Sequence, residues 1–363
     1  MFELIFGIVI LGYLIQQVIF VYGASKKYAT LPESEFPTIS ILVAARNEEN
    51  NIIACLESLD RLDYDRSKLE IIIIDDHSTD KTAELVQKFI EGKEYFRTMS
   101  PEKNLGHLKG KANALANALK TAKGEIILTT DADCAVSADW AKTMTSYFTG
   151  NVAMVGGYTN QTGTAPFLEM QSLDFIYLLA VAAGTMNLGK PLSCIGNNMA
   201  YRRSVYEEVG GYEAIPFSVT EDFKLLMAMY NLKKYKFISP LDKGTLVTSM
   251  PCENLNSLVR QKKRWGVGGL DSDLSGFTVL SFGLLAHAGI LLLPLFFSWT
   301  VLAFALIKFF ADYIFLQYFH RKLELKFKLS GFITFQIYFI IYVILLPLSL
   351  IFSRKVVWKG REF

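Results

Sequence analysis

The sequence predicts an α/β protein: a doubly wound, mostly parallel sheet with one N-terminal and about three C-terminal transmembrane helices. Short β-branched runs alternate with helical patterns in mid-chain, and apolar runs of spanning length lie at both ends. Acidic residues cluster where the predicted strands end. Of the 363 residues, 51% are hydrophobic and 20% charged, so the apolar residues must be segregated. A net charge of +2 argues against a nucleic-acid partner, whose binding domain is usually markedly basic. Cys55, Cys134, Cys194 and Cys252 are too far apart for a disulfide scaffold or a CxxC zinc site, and fit reduced thiols facing the cytosol.

Residues 2–22 carry one charge, Glu3, and at about 1.5 Å per residue they cross a hydrocarbon core. Without a basic leader or a small-residue cleavage site, residues 1–24 read as an uncleaved anchor. Lys26 and Lys27 put its far end in the cytoplasm. Residues 277–319 carry only Lys308 and Asp312, and suit two crossings joined by a tight turn near 294–299. Residues 331–352 carry no charge, and His320, Arg321, Lys322 and residues 326–328 form a basic connector that should stay cytoplasmic. The expectation is a multi-pass protein of the cell (inner) membrane with a membrane region at 276–353 and a basic tail at 354–363. Three C-terminal crossings put Arg354, Lys355, Lys359 and Arg361 outside, against the positive-inside rule; a shallow re-entrant segment within 277–319 would repair this. Lys308 and Asp312 stand one helical turn apart, either a functional intramembrane pair or mutual neutralisation.

Residues 37–269 read as a cytoplasmic catalytic domain. Strands are expected at 39–45, 71–74 and 125–130, and helices at 48–59, 80–90 and 111–122. Ligands of such sheets sit at the carboxyl ends of the strands, which here carry Arg46-Asn47-Glu48, Asp75-Asp76-His77 and Asp131-Ala132-Asp133. No GxGxxG, HExxH or GxSxG pattern occurs, so the informative groups are carboxylates.

Asp131 and Asp133, two apart at a strand end, point the same way in an extended chain and suit Mg²⁺ or Mn²⁺; a solvated loop is the alternative. A diphosphate about 4 Å from them meets roughly 4 kcal/mol of repulsion per charge pair at an effective dielectric of about 20, which a bridging dication reverses. Asp75 and Asp76 could accept from a nucleotide's base or ribose, or cap the helix beginning near Asp80. Lys109 and Lys111 open an alanine-rich helix, as phosphate ligands or ordinary surface charge. Thr220 reads as a helix N-cap, and the acids Glu221 and Asp222 suit its first turn; the same field keeps Asp222 ionised and able to act as a general base. Gln261, Arg264 and Trp265 share one face of a helix starting near Glu253, suited to a diphosphate beside a sugar or to an interfacial basic helix. Gly196-Asn197-Asn198 suits a ligand loop or an ordinary turn.

Taken together, Asp75-Asp76-His-Ser-Thr-Asp80, Asp131-Ala-Asp133, Thr220-Glu-Asp222 and Gln261-Lys-Lys-Arg264-Trp265 resemble a family 2 glycosyltransferase of GT-A fold over about 37–269. The membrane layout is similar to the branch of ceramide glucosyltransferases, cellulose synthases and hyaluronan synthases. The resemblance implies inverting transfer from a nucleotide-diphospho-sugar, usually a UDP-sugar. It implies that Asp75 and Asp76 contact the uridine and that Lys109 and Lys111 approach the nucleotide. Asp133, helped by Asp131, would hold the metal, and Asp222 would deprotonate the acceptor. Trp265 would stack under the acceptor, with Gln261, Arg264 and Glu221 serving acceptor and leaving diphosphate, and Asn197 and Asn198 on an acceptor loop. Cys134 stands where some polymer synthases carry a histidine, so no third protein ligand is expected there.

The uncharged stretch 175–188, about 14 residues, is too short to span, and lies against the bilayer or is buried. Four spans make a small bundle, which favours a membrane-lipid acceptor. The competing reading is a processive polysaccharide synthase, with oligomerisation supplying lining helices. A catalytically silent membrane binding protein with this fold would have lost an essential carboxylate, yet the expected acids are all present.

Overall fold

The computed structural model describes residues 1–271, 273–353, 355–358 and 361–362; Arg354 and Lys359 of the basic tail lie outside them. Its helices are α1 (Phe2–Ala24), α2 (Ile52–Asp60), α3 (Thr82–Ile90), α4 (Gly110–Leu119), α5 (Trp140–Ser146), α6 (Pro166–Asn187), α7 (Arg203–Glu208), α8 (Glu221–Asn231), α9 (Leu255–Gly269), α10 (Leu274–Leu291), α11 (Trp299–Lys322) and α12 (Leu329–Phe352). Its strands are β1 (Ile39–Ala45), β2 (Leu69–Asp75), β3 (Phe96–Met99), β4 (Ile126–Asp131), β5 (Cys134–Val136), β6 (Val152–Gly156), β7 (Thr159–Gln161), β8 (Met199–Arg202), β9 (Lys236–Ile238), β10 (Val247–Ser249), β11 (Val357–Trp358) and β12 (Arg361–Glu362). The chain divides into two compact units: residues 26–160 with 193–250, and residues 1–25 with 161–192 and 251–363. Segments 161–192 and 251–269, which the sequence reading assigned to the catalytic stretch, thus pack with the terminal helices.

The first unit is built on a seven-stranded sheet of order β3-β2-β1-β4-β8-β6-β9. β1 and β2 are β-branched and buried on both faces, as strands covered by helices on each side must be. Pairing of β1 with β2, β1 with β4 and β2 with β3 is parallel, as expected. β8 enters antiparallel to both β4 and β6, so the sheet is mixed with a parallel majority. Register opposes Ala45 to Asp75 and Ala44 to Asp131, which brings both acids to the same carboxyl edge, two strands or about 10 Å apart. The expectation of an extended Asp131-Ala132-Asp133 is corrected. β4 ends at Asp131, and Ala132 and Asp133 form the turn into β5, which pairs with β10 in a second, three-stranded sheet.

In the second unit, α1, α6, α10, α11 and α12 are each long and apolar enough to cross a membrane. The turn between α10 and α11 falls at 292–298, where it was expected. α6 was not foreseen as a candidate span, because Glu169 and Asp174 shorten its uncharged stretch. Inside the unit both acids are paired, Glu169 with Lys328 at 2.5 Å and Asp174 with Lys262, so the helix runs 22 residues. It is the inner helix: 61% of its apolar window is buried, against 22–28% for the other four. The outer helices keep residues such as Ile8, Leu11, Ile15, Ile314 and Ile337 exposed, an apolar surface suited to acyl chains. α1 crosses α6 at paired glycines. A Cβ on Gly23 would fall 2.1 Å from the Gly184 carbonyl oxygen, and one on Gly184 would fall 2.6 Å from the Phe20 backbone.

A polar cluster draws on all five of these helices. The fully buried pair Lys308 and Asp312 meets at 2.7 Å. Asp312 accepts from Tyr13 (2.8 Å), Gln17 (2.7 Å) and Gln336 (2.9 Å), and Tyr177 donates to the Tyr13 hydroxyl at 2.7 Å. Lys308 also donates to Gln336 Oε1 (3.1 Å) and His287 Nε2 (2.8 Å), and the latter bond directs His287 Nδ1–H to the Gly283 carbonyl. Every charge is compensated, so the cluster reads as an interhelical lock. Asp312→Ala strands a buried ammonium and is expected to cost about 3–5 kcal/mol, read as a fall in the unfolding midpoint in detergent. Lys308→Met with Asp312→Leu is expected to recover only part of that fall, because Tyr13, Gln17 and Gln336 lose their acceptor; an unchanged midpoint in Asp312→Ala contradicts the lock.

Candidate active site

The site in the sheet unit is assembled at the carboxyl edge of β4. α4 starts after Lys109, which occupies the N-cap position with an exposed side chain. Lys111, in the first turn, turns its ammonium onto Asp131 Oδ1 at 2.5 Å and Glu221 Oε1 at 3.4 Å. Glu221 and Asp222 open α8; Thr220 holds the N-cap position, but its hydroxyl meets Ser218 at 3.1 Å rather than a helix amide. Asp222 Oδ2 accepts from the Gly196 N–H at 2.6 Å and Oδ1 from the Phe223 N–H at 2.8 Å, which orients the carboxyl group. Thr129 of β4 donates to the Gly196 carbonyl at 2.7 Å, tying this loop to the strand that carries Asp131.

Gly196 lies in a turn and closely approaches the site. A Cβ there would stand 3.1 Å from Asp222 Oδ2 and 3.3 Å from Lys111 Nζ. Burial opposes the charge on Lys111, but Asp131 and Glu221 outweigh it, and the ammonium is held well above the usual lysine range. Lys111 therefore serves as a permanent cation between the Asp131 and Glu221–Asp222 carboxyl groups. The sequence left Lys111 open between a phosphate ligand and ordinary surface charge; here its ammonium lies inside a carboxylate cluster.

Burial pushes the thiols of Cys55 and Cys134 up, and the carboxylates of Asp133 and Asp131 raise both further, so the two acids bear on one small region. The carboxylates of Asp131 and Asp133 are hard oxygen donors, the kind that Mg²⁺ and Mn²⁺ prefer. Among the described residues no group of three or more His, Cys, Asp or Glu side chains could hold an ion alone. Two carboxylates with the remaining positions taken by phosphate oxygens and water is the usual way Mg²⁺ is held, so Asp131 and Asp133 fit such an ion. It would compete with Lys111 for Asp131, and Glu221 is the ammonium's other partner.

The loops after β1 and β2 interlock. Arg46 donates to the carbonyls of Asp76 (2.5 Å) and His77 (3.2 Å), and Asn47 Oδ1 accepts from Thr79 N–H at 2.8 Å. Asn47 and His77 both take positive φ to make these turns. Asp75 and Asp76 are buried, and Asp75 accepts from Ser78 N–H at 3.3 Å, while the capping bond to Thr82 comes from Asp80. Asn198 is spent on structure: it accepts from Trp140 Nε1 (3.0 Å) and donates to the carbonyls of Tyr158 (2.6 Å) and Thr245 (2.8 Å). Asn197 accepts from Thr159 at 2.9 Å. The Asn198 amide thus braces the loop through long-range packing.

A model described as glycosyl transferase family group 2 matches residues 126–353, and one described as glycosyl transferase family 2 matches residues 40–210. The chain belongs to the family 2 glycosyltransferases. This family 2 member is 29% identical over 259 residues to a beta-monoglucosyldiacylglycerol synthase of a Nostoc species, a match covering 69% of this chain and 52% of the relative. It is 26% identical over 243 residues to the poly-beta-1,6-N-acetyl-D-glucosamine synthase of Staphylococcus epidermidis, covering 66% and 56%. The chain thus spans about half the length of the curated relatives it matches. Its fold is like that of a mannosyltransferase from Pyrobaculum calidifontis solved with GDP-Man and Mn²⁺, with a TM-score of 0.60 at 18% identity over 93% of this chain and 98% of the other. The GT-A expectation for the fold is met.

In this family 2 chain, Gln261, Arg264 and Trp265 lie on α9 of the helical unit, at the expected spacing. α9 starts at Leu255 with Asn254 as cap, its side chain accepting from Ser257 N–H at 3.0 Å. Lys262, one of the cations of the helix that the sequence left open as an interfacial basic helix, is 3% exposed and paired with Asp174 of α6. That pairing spans residues far apart in the chain and leaves no local signal.

Proposed function

We propose that this chain transfers a sugar, with inversion, from a UDP-sugar to a hydroxyl of a membrane lipid. The observation that carries the reading is the meeting of Asp131, Glu221 and Lys111, with the Asp222 carboxyl group oriented beside them by the Gly196 amide. The acceptor hydroxyl gives its proton to Asp222, its oxygen forms the new bond at the anomeric carbon, and the bond to the diphosphate breaks with its electron pair leaving on UDP. Asp133 and Asp131 hold Mg²⁺ or Mn²⁺, whose charge offsets that of the departing diphosphate when bound. Lys111 limits repulsion among the carboxylates. Asp75, Asp76 and Lys109 serve the nucleotide, Gln261 and Arg264 the diphosphate, and Trp265 offers its indole face to the acceptor.

The five long apolar helices and a diacylglycerol-named relative support a lipid acceptor. Lys26 and Lys27 after α1 favour a cytoplasmic catalytic unit at the inner membrane. The second reading, a polysaccharide synthase, is supported by the relative from S. epidermidis. The test incubates the purified chain with Mn²⁺, radiolabelled UDP-glucose, UDP-galactose or UDP-N-acetylglucosamine, and dioleoylglycerol or a total lipid extract. A labelled product with glycolipid mobility is expected. Label in high-molecular-weight material transfers the case to the polymer reading, and no transfer from any donor removes both.

A further inference from the structure

One face of α6 grips the segment that carries Trp265. Gln171, Asp174 and Phe175 lie at i, i+3 and i+4. Gln171 exchanges two hydrogen bonds with the Cys252 backbone just ahead of α9, at 2.9 and 2.8 Å. Asp174 pairs with Lys262, and the Phe175 ring meets the Trp265 ring at 5.2 Å between centroids. Lys262 Nζ in turn stands 4.2 Å from the Trp265 ring centroid and 5.4 Å from that of Tyr342.

The burial is unusual for this run of cations. Arg260 is exposed and Lys263 and Arg264 are partly so, whereas Lys262 is 3% and Asp174 0% exposed. A surface role would need neither residue inside. Tyr338 reaches Asp174 Oδ2 at 3.5 Å, and among the described residues the buried Oδ1 has no hydrogen-bond donor, so the carboxylate's compensation comes mainly from Lys262. The ammonium is thereby fixed in place, and a fixed cation over a ring fixes the ring.

We propose that Asp174 and Lys262 form a positioning pair for Trp265: the buried cation sets the orientation of the indole and so the affinity for the acceptor. This rests on Trp265 being the acceptor's stacking partner. The pair touches no substrate and acts through the ring alone.

The test uses the full chain labelled with 5-fluorotryptophan in lipid nanodiscs, with UDP-glucose and dioleoylglycerol as probes. The Trp265 ¹⁹F resonance is assigned by its loss in Trp265→Phe. In Lys262→Met the resonance is expected to shift and the KM for dioleoylglycerol to rise about tenfold, with the KM for UDP-glucose and acceptor-independent UDP release within about twofold of the parent. Lys262→Gln keeps a donor for Asp174 without the charge, and supplies the same readings should the Met variant not fold. Lys262→Arg, which keeps the cation, is expected to return the acceptor KM towards the parent value. An unmoved resonance with an unchanged acceptor KM overturns the proposal, as does an equal rise in both KM values. If no lipid takes up sugar, the lipid-transfer reading fails, while the resonance alone still decides whether the pair orients the ring.

Discussion

Asp222→Asn is expected to lower transfer by roughly 10³-fold or more while UDP binding stays within about twofold, since general-base catalysis is worth about 10²–10⁴. The structure makes the change more telling than a simple loss of charge. Both carboxylate oxygens accept backbone N–H bonds, from Gly196 and Phe223. An asparagine has one acceptor oxygen, so its amide must turn an N–H₂ towards one of these donors, losing about 1 kcal/mol. That is too little to unfold the unit, and calorimetric UDP titration with circular dichroism would show it. Parent-like turnover in a folded Asp222→Asn enzyme would remove the assigned base.

Asp133→Ala is expected to abolish the response to added Mn²⁺ and to cut transfer by roughly 100-fold or more, as loss of a ligand should cost at least what loss of a ligand's supporting partner does. Electron paramagnetic resonance of Mn²⁺ in the presence of UDP gives a reading independent of turnover: bound metal should fall with the variant. Parent-like Mn²⁺ binding together with retained activity would place the ion elsewhere. Asp131 gives a less clean test, because Lys111 is its ion-pair partner and the ammonium would be left to Glu221.

The parts of the fold that could be read from the chain are those set by local pattern. β1 was expected at its observed ends, and β2 and β4 within two residues, because buried parallel strands are continuous apolar runs. The terminal helices followed from length and hydropathy alone. β6, β8 and β9 have three to five residues each, too few for periodicity to register, so the antiparallel part of the sheet was missed. In the site, the acids at the ends of β2 and β4 and at the start of α8 were legible because strand ends and first helical turns mark themselves. Lys111 and Lys262 were not. A lysine reads as a surface charge or an anion ligand until the fold brings it a carboxylate, and Asp131, Glu221 and Asp174 arrive only through tertiary packing. Gly196 does lie in a turn, as its local sequence suggests, whereas its close approach to Asp222 and Lys111 comes from packing alone.

The first helix brings two donors, Tyr13 and Gln17, to a carboxylate on the penultimate long helix, and it crosses α6 at a glycine contact. Trimming residues 1–25 to obtain a water-soluble enzyme would therefore leave Asp312 short of two hydrogen bonds and uncover a seam along α6. The amino-terminal segment is a structural member of the helical unit, and deletion strategies that treat it as a detachable leader should yield aggregated protein.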